Sequence, residues 1–130
     1  MRGTFGILIV GFGLLCSGAS VAAHHALSSE YDENKVVTLE GTVSKVEWTN
    51  PHARFFIDVV NQDTTVTTWS FELASPNALT RGGWGRHTLT VGDAITATGF
   101  AAKSGKSMAS TRSVTLPDGK SLFGGTQGIQ

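Results

Sequence analysis

The chain has 130 residues, of which 40% are hydrophobic and 15% are charged, and its ten basic and ten acidic residues give a formal net charge of zero. This length is typical of one compact domain. The lack of a basic excess argues against electrostatic binding of nucleic acid and leaves no polybasic segment to anchor the chain to an acidic membrane surface.

The first 23 residues predict a secretory signal. Arg2 precedes the uncharged apolar run FGILIVGFGLLC, which is followed by the small-residue segment SGASVAA. A positive residue, a short apolar run and small residues at a cleavage site are typical of a signal peptide, whereas a membrane span needs about 20 apolar residues. We therefore expect a periplasmic or secreted protein that has no membrane anchor after signal cleavage.

Two cleavage sites satisfy the small-residue rule, one after Ala23 and one after Ala22. Cleavage after Ala23 leaves 107 residues that begin at His24, and the loss of Arg2 leaves nine basic against ten acidic residues. The single cysteine, Cys16, is removed with the signal. The mature domain is therefore expected to be stable without disulfide bonds, which is feasible for about 100 residues.

The first strand is predicted directly after an N-terminal segment at residues 24–34. Its sequence, KVVTLEGTVSKVEW (35–48), alternates apolar and polar residues, and the apolar positions shift by one residue near Ser44 and Lys45. A period of two indicates a strand with one face on the core, and a slip of one residue indicates a bulge. We therefore expect one long, bent strand.

Two more strands and a helix are predicted after the turn NPH at Asn50–His52. Segments ARFFIDVV (53–60) and TVTTWSFEL (65–73) alternate apolar and polar residues and are expected to form a hairpin. The next segment, SPNALTRGGW, predicts one short helix with proline at its first position. Ser75 is expected to cap this helix, and Gly82 is expected to end it with a positive φ.

Strands four and five are predicted from AITATGFAAK (94–103) and MASTRSVTL (108–116), and a glycine-rich, flexible tail from residues 124–130. Five strands with a short helix between the third and fourth are the order of an OB-fold-like Greek-key barrel. We therefore expect an all-β barrel domain at residues 35–123. An antiparallel β-sandwich is the alternative.

The strand phases assign an inward face to the first three strands. Nine apolar residues share this phase and are expected to fill the barrel interior: Val37, Leu39, Val43, Phe55, Ile57, Val59, Trp69, Phe71 and Leu73. Phe56 is out of phase with them, and Trp84 lies in a glycine-rich turn. We expect these two aromatic residues, with Asn50 nearby, to form a surface for an unknown protein or small ligand.

Three segments, VTLEGTVSKVEWTNPHARFFIDV, ELASPNALTRGGW and RSVTLPDGKSLF, resemble the DUF6152 family of small exported bacterial proteins of unknown function. The resemblance covers nearly all of the mature chain, including His24, His25 and the WTNPH turn. The family usually has a PGD turn before strand four, where this chain has VGD at residues 91–93. The resemblance implies export and assigns no activity, because the family has no known function.

Catalytic motifs give little support to an enzyme. The sequence has no GxSxG motif, and GKS at 105–107 lacks the partner glycine of a phosphate-binding loop, because position 100 is Phe100. Asp58 and Glu72 could face each other across the hairpin, but an exposed carboxylate pair on a half-solvated sheet is the more ordinary case. We therefore expect a binding protein.

Three histidines are candidate metal ligands: His24, His25 and His52. Cleavage after Ala23 would give His24 a free amine beside its imidazole, and His52 could add a third nitrogen if the N-terminal segment folds back across the barrel mouth. Cleavage after Ala22 would instead allow copper to bind the amine, two backbone amides and His25. Cu(II) favours nitrogen ligands in a tetragonal plane, so copper is the expected cofactor.

A histidine pair in a loop is more often a solvated polar segment than a metal site, so the prediction of a copper site has an alternative. The alternative is a non-metal interaction module that presents Phe56, Trp84 and Asn50 to a protein or small ligand. Nucleic acid is not an expected partner in either case. His87, in GRHTL, is expected to be an ordinary loop residue.

Overall fold

The computed structural model describes residues 29–125, so the predicted signal, His24 and His25 lie outside the described residues. Within this range the chain forms six strands and one six-residue helix, and Ser29 and Glu30 before the first strand are also helical. Their bounds are β1 Tyr31–Glu47, β2 Arg54–Val60, β3 Val66–Glu72, α1 Pro76–Arg81, β4 Ala94–Ala102, β5 Met108–Thr115 and β6 Ser121–Phe123. No helix in the described part of the chain is long and apolar enough to cross a membrane.

The strands form one sheet in the order β3-β2-β1-β4-β5-β6 that closes on itself. Closure comes from a parallel pairing of β3 with β5, in which Ser70 lies opposite Met108 and Glu72 opposite Ser110. The predicted OB-like barrel with a short helix between the third and fourth strands is confirmed, but within residues 29–125 the sheet has six strands instead of the predicted five. The sandwich alternative is wrong, because β1 pairs with both β2 and β4 and leaves no two separate sheets.

The long first strand is confirmed, together with its bulge. The β1–β2 register shifts between Val43 and Lys45. The backbone of Val43 also bonds the loop before β4, since its N–H donates to Asp93 at 2.9 Å and its carbonyl accepts from Gly92 at 2.8 Å. The strand begins at Tyr31, inside the predicted N-terminal segment, because Tyr31 pairs with Ala102 of β4. This extension was not predicted because its sequence, YDENK, is polar.

The predicted inward face is confirmed. Phe55, Ile57 and Phe71 are fully buried, and the phenyl rings of Phe55 and Phe71 are stacked with centroids 5.2 Å apart. Val43 and Leu73 are also buried. The other four predicted residues are partly buried and pack against this core: Val37, Leu39, Val59 and Trp69.

The short helix α1 has the predicted N-cap and a different C-terminus. The Ser75 side chain accepts a hydrogen bond from the N–H of Ala78. Gly82 has φ −85°, so the prediction of a positive φ there is wrong; the positive φ of +95° occurs at Gly83. The reason is that the N–H of Gly82 still bonds the helix carbonyls of Ala78 and Leu79, which delays the reversal by one residue.

Strand β6 was not predicted, although it lies within the predicted barrel domain. Leu122 is buried, and the N–H of Gly124 donates to Arg112 at 2.8 Å. The carbonyl of Gly124 in turn accepts from the N–H of Ala74. Gly124, the first residue of the segment expected to be a flexible tail, is therefore hydrogen-bonded to the barrel. A strand of three residues is too short to give a periodic signal.

Candidate functional site

The turn between β1 and β2 holds His52 against the end of β3. The Asn50–Pro51 peptide is cis. Just after it, the N–H of Ala53 donates to Ala74 at 3.0 Å, and the N–H of Leu73 donates to Ala53 at 2.9 Å. These two bonds fix the backbone around His52, whose side chain is 52% exposed.

One hydrogen bond sets the orientation and tautomer of the His52 ring. Nδ1 lies 3.1 Å from the carbonyl oxygen of Leu73. A carbonyl oxygen only accepts, so Nδ1 carries the proton and donates, and in the neutral ring Nε2 keeps its lone pair. Within residues 29–125 no hydrogen bond involves Nε2. Metal-binding histidines typically donate their second ring N–H to a carbonyl or carboxylate in this way.

Glu72 is the neighbour that joins His52 to a polar network. Its Oε1 lies 3.8 Å from His52 Nδ1, and its Oε2 accepts a 2.8 Å hydrogen bond from the Tyr31 hydroxyl. Arg54 Nη2 lies 3.5 Å from the same Oε2, while Arg54 Nη1 donates to the Ser70 hydroxyl at 3.0 Å. The carboxylate is thus neutralised on one side and faces a histidine on the other.

Tyr31 attaches the beginning of β1 to this network. Its side chain is 2% exposed. Burial raises the pKa of the Tyr31 phenol, and the hydrogen bond to Glu72 and the negative charge of that carboxylate raise the pKa further. The phenol therefore stays protonated and remains a hydrogen-bond donor to Glu72 at neutral pH.

The sequence did not identify Tyr31, Arg54 or Glu72 as members of one site. The hairpin register places Arg54 directly opposite Glu72. The predicted strands included both residues. Asp58 and Glu72, considered as a possible carboxylate pair, do not face each other, because Asp58 lies opposite Thr68 and accepts a 2.7 Å hydrogen bond from its hydroxyl. No local pattern connects Tyr31 to Glu72, because they are 41 residues apart in the chain.

The metal prediction combines histidines outside the described residues with one histidine inside them. His24 and His25 lie outside residues 29–125. Within that range no group of three or more His, Cys, Asp or Glu residues is placed to hold a metal ion. His52 with Glu72 can therefore supply only part of a metal site, and further ligands would have to come from elsewhere.

The predicted aromatic surface is corrected in one position. Trp84 is only 4% exposed, and its indole N–H donates to the Phe123 carbonyl at 2.8 Å, so it is a core residue. Its position in a glycine-rich turn did not reveal that β6 passes beside it. Phe56 is partly buried beneath Lys45, whose Nζ lies 5.4 Å from the ring centroid. Asn50 is exposed.

Comparison with known protein families shows the family of the chain. The profile of a family of unknown function (DUF6152) matches residues 12–111, which is most of the sequence. The chain belongs to the DUF6152 family. The resemblance noted in the sequence is thereby confirmed, and this DUF6152 protein joins a family whose name states no activity.

Two further comparisons set the DUF6152 protein against characterised proteins and against solved structures. No characterised protein matches the chain significantly. Among solved structures, it is similar to the dimeric N-terminal domain of the PriB protein from Thermoanaerobacter tencongensis, at 19% sequence identity and a TM-score of 0.47. That similarity covers 65% of this chain and 97% of the PriB domain.

Proposed function

We propose that this DUF6152 protein is exported and that its mature form is a small periplasmic copper-binding protein. The ligands are His52 and the histidines of the new N-terminus, His24 and His25. The observation that carries the proposal is the hydrogen bond from His52 Nδ1 to the Leu73 carbonyl, which directs a lone pair on Nε2 away from the backbone. A half-exposed ring in this state needs no rearrangement to accept a metal ion.

The N-terminal segment is long enough to reach His52. Tyr31 is hydrogen-bonded to Glu72, which is itself the neighbour of His52. His24 precedes Tyr31 by seven residues. An extended chain spans roughly 3.3–3.6 Å per residue, so seven residues cover up to about 25 Å. The anchoring of Tyr31 therefore keeps the N-terminal amine within reach of the ring.

The donor atoms favour copper. A chain that begins at His24 offers an amine and an imidazole on one residue, and His52 adds a third nitrogen. Cu(II) binds nitrogen ligands in a tetragonal plane and more tightly than the other divalent first-row metals. Glu72 places a carboxylate 3.8 Å from His52 Nδ1, and its negative charge would favour a cation held by the same ring.

The test is a Cu(II) titration of protein isolated from the periplasm, with mass spectrometry to establish the cleavage site. We expect His52→Ala to weaken binding at least tenfold, because it removes a ligand. His87→Ala is the matched control, since His87 is an exposed loop histidine outside the network. Affinity that is equal in wild type, His52→Ala and His87→Ala contradicts a role for His52.

The cleavage site separates two binding modes. With His24 first, an additional N-terminal residue should weaken binding as strongly as His52→Ala does. With Ala23 first, His25→Ala should be the damaging substitution and His52→Ala should have almost no effect. Binding no tighter than that of a variant without all three histidines leaves the non-metal interaction module, with exposed Asn50 and partly buried Phe56 as its candidates.

A further inference from the structure

A second surface feature lies at the end of β1, on the loop that leads into β4. It is an open groove of about 610 Å³. Typical small-molecule sites have about 300–1,000 Å³ and combine apolar walls with a few polar groups. The residues that matter here are Trp48, Arg86, His87, Leu89 and Val91.

The loop wall of the groove is held in place by its own hydrogen bonds. The Thr88 hydroxyl accepts from the N–H of Gly85 at 2.7 Å, and the Asp93 carboxylate accepts from the N–H of Thr90 at 2.9 Å. Leu89 is buried in the core beneath the wall. An irregular loop that is fixed in this way loses little conformational entropy when a ligand binds, which favours binding.

The groove carries an unbalanced positive charge. Its one carboxylate, Glu47, is paired with Lys45 at 2.7 Å. Arg86 is exposed, and no ion pair in the described part of the chain involves it. Arg86 is therefore available to an anion from solution, and its planar guanidinium matches a carboxylate in a bidentate arrangement.

The segment that follows β1 supplies an aromatic ring to the groove. Trp48 is partly buried and packs against the core with part of its surface. Unlike the indole of Trp84, its indole N–H makes no hydrogen bond within residues 29–125. Val91, 64% exposed, extends the apolar lining. Ring compounds gain large contact area against such a surface.

We propose that this groove binds a small ring compound that carries a carboxylate. The ring lies against Trp48, and the carboxylate pairs with Arg86. A cationic ligand would be repelled by Arg86, and a neutral apolar ligand would leave the guanidinium without a partner at the edge of the site. The proposal is independent of copper, because none of the groove residues is a proposed ligand.

The test uses two acids and their neutral counterparts, with EDTA present to remove metal. The probes are benzoate against benzyl alcohol and glucuronate against glucose, titrated into the mature protein while backbone amide shifts are recorded by NMR. We expect saturable shifts at Trp48 and Arg86 with at least one acid, at a Kd of about 1–10 mM, as suits compounds of this size. The neutral counterpart should bind at least tenfold more weakly.

Arg86→Ala is the decisive variant, because an exposed residue can be replaced without loss of folding. Arg81→Ala is the matched control, since Arg81 is also an exposed arginine and lies outside the groove. We expect Arg86→Ala to lose acid binding and Arg81→Ala to keep it. The proposal is overturned if neither acid binds below about 10 mM, if acid and neutral probes bind equally, or if Arg86→Ala binds like wild type.

Discussion

Among individual residues, Glu72 contacts three other members of the candidate site. It accepts the Tyr31 hydroxyl, lies beside Arg54 and faces His52. Its side chain is only 18% exposed, so these groups replace water around the carboxylate. A buried carboxylate is tolerated only when such partners compensate its lost hydration. Loss of any partner should therefore affect the others.

Tyr31 gives this network a pH dependence. Its folded-state pKa is raised, so the stability it contributes is complete below the unfolded tyrosine pKa of about 10 and is lost as pH rises above that value. Tyr31 is the only tyrosine, so absorbance of phenolate reports it directly. We expect it to ionise well above pH 10 in the folded protein.

The matched variant is Tyr31→Phe, which keeps the ring and removes the hydrogen bond to Glu72. We expect it to lower the free energy of unfolding at pH 7 by about 1–3 kcal/mol, as for a bond to a charged group. The difference from wild type should shrink above pH 10. A Tyr31 absorbance titration with a midpoint near 10 in folded protein would contradict the network.

Phe71 tests the inward register at the level of one side chain. It is completely buried and stacked on Phe55 at 5.2 Å. Phe71→Ala is expected to lower the free energy of unfolding by roughly 3–5 kcal/mol in urea denaturation. Val66→Ala, on the same strand but 59% exposed, should change it by less than about 0.5 kcal/mol. Equal effects would show that the register is wrong.

Among the elements, β1 shows how a bulge shapes the site. The register shift between Val43 and Lys45 lets the strand bend, so that one part pairs with β4 and the other with β2. Its start brings Tyr31 to the network, and its end leads into the turn that carries His52. The phase slip in the sequence predicted the bend, but it contained no information on what each end would contact.

Strand β6 gives a prediction at the element scale. Its neighbouring residues differ sharply in exposure, since Leu122 is 7% exposed and Phe123 is 79% exposed. Leu122→Ala is expected to lower the free energy of unfolding by about 2–5 kcal/mol because it leaves a cavity. Phe123→Ala should stay within about 0.5 kcal/mol. If thermal denaturation finds the two variants equally stable, β6 is not part of the core.

At the scale of the whole molecule, copper binding should increase the free energy of unfolding. A ligand that binds only the folded state stabilises it by about 2.7 kcal/mol at a free concentration of 100 times Kd. Addition of Cu(II) should therefore raise the Tm of the mature wild-type domain. The rise should be absent or much smaller for His52→Ala and unchanged for His87→Ala. No rise in wild type at saturating copper contradicts copper binding through His52.

The sequence by itself determined the first five strands, the β1 bulge, the short helix and the order that makes a barrel. These features follow from alternation and turn residues, which are local and record which face of each element is buried. Only the tertiary structure decided that Trp84 is a core residue, that β6 completes the domain and that Tyr31, Glu72 and His52 are neighbours. The deciding contacts join residues far apart in the chain, such as Tyr31 with Glu72 at a separation of 41 positions. Such contacts depend on how the sheet closes, and local periodicity does not encode closure.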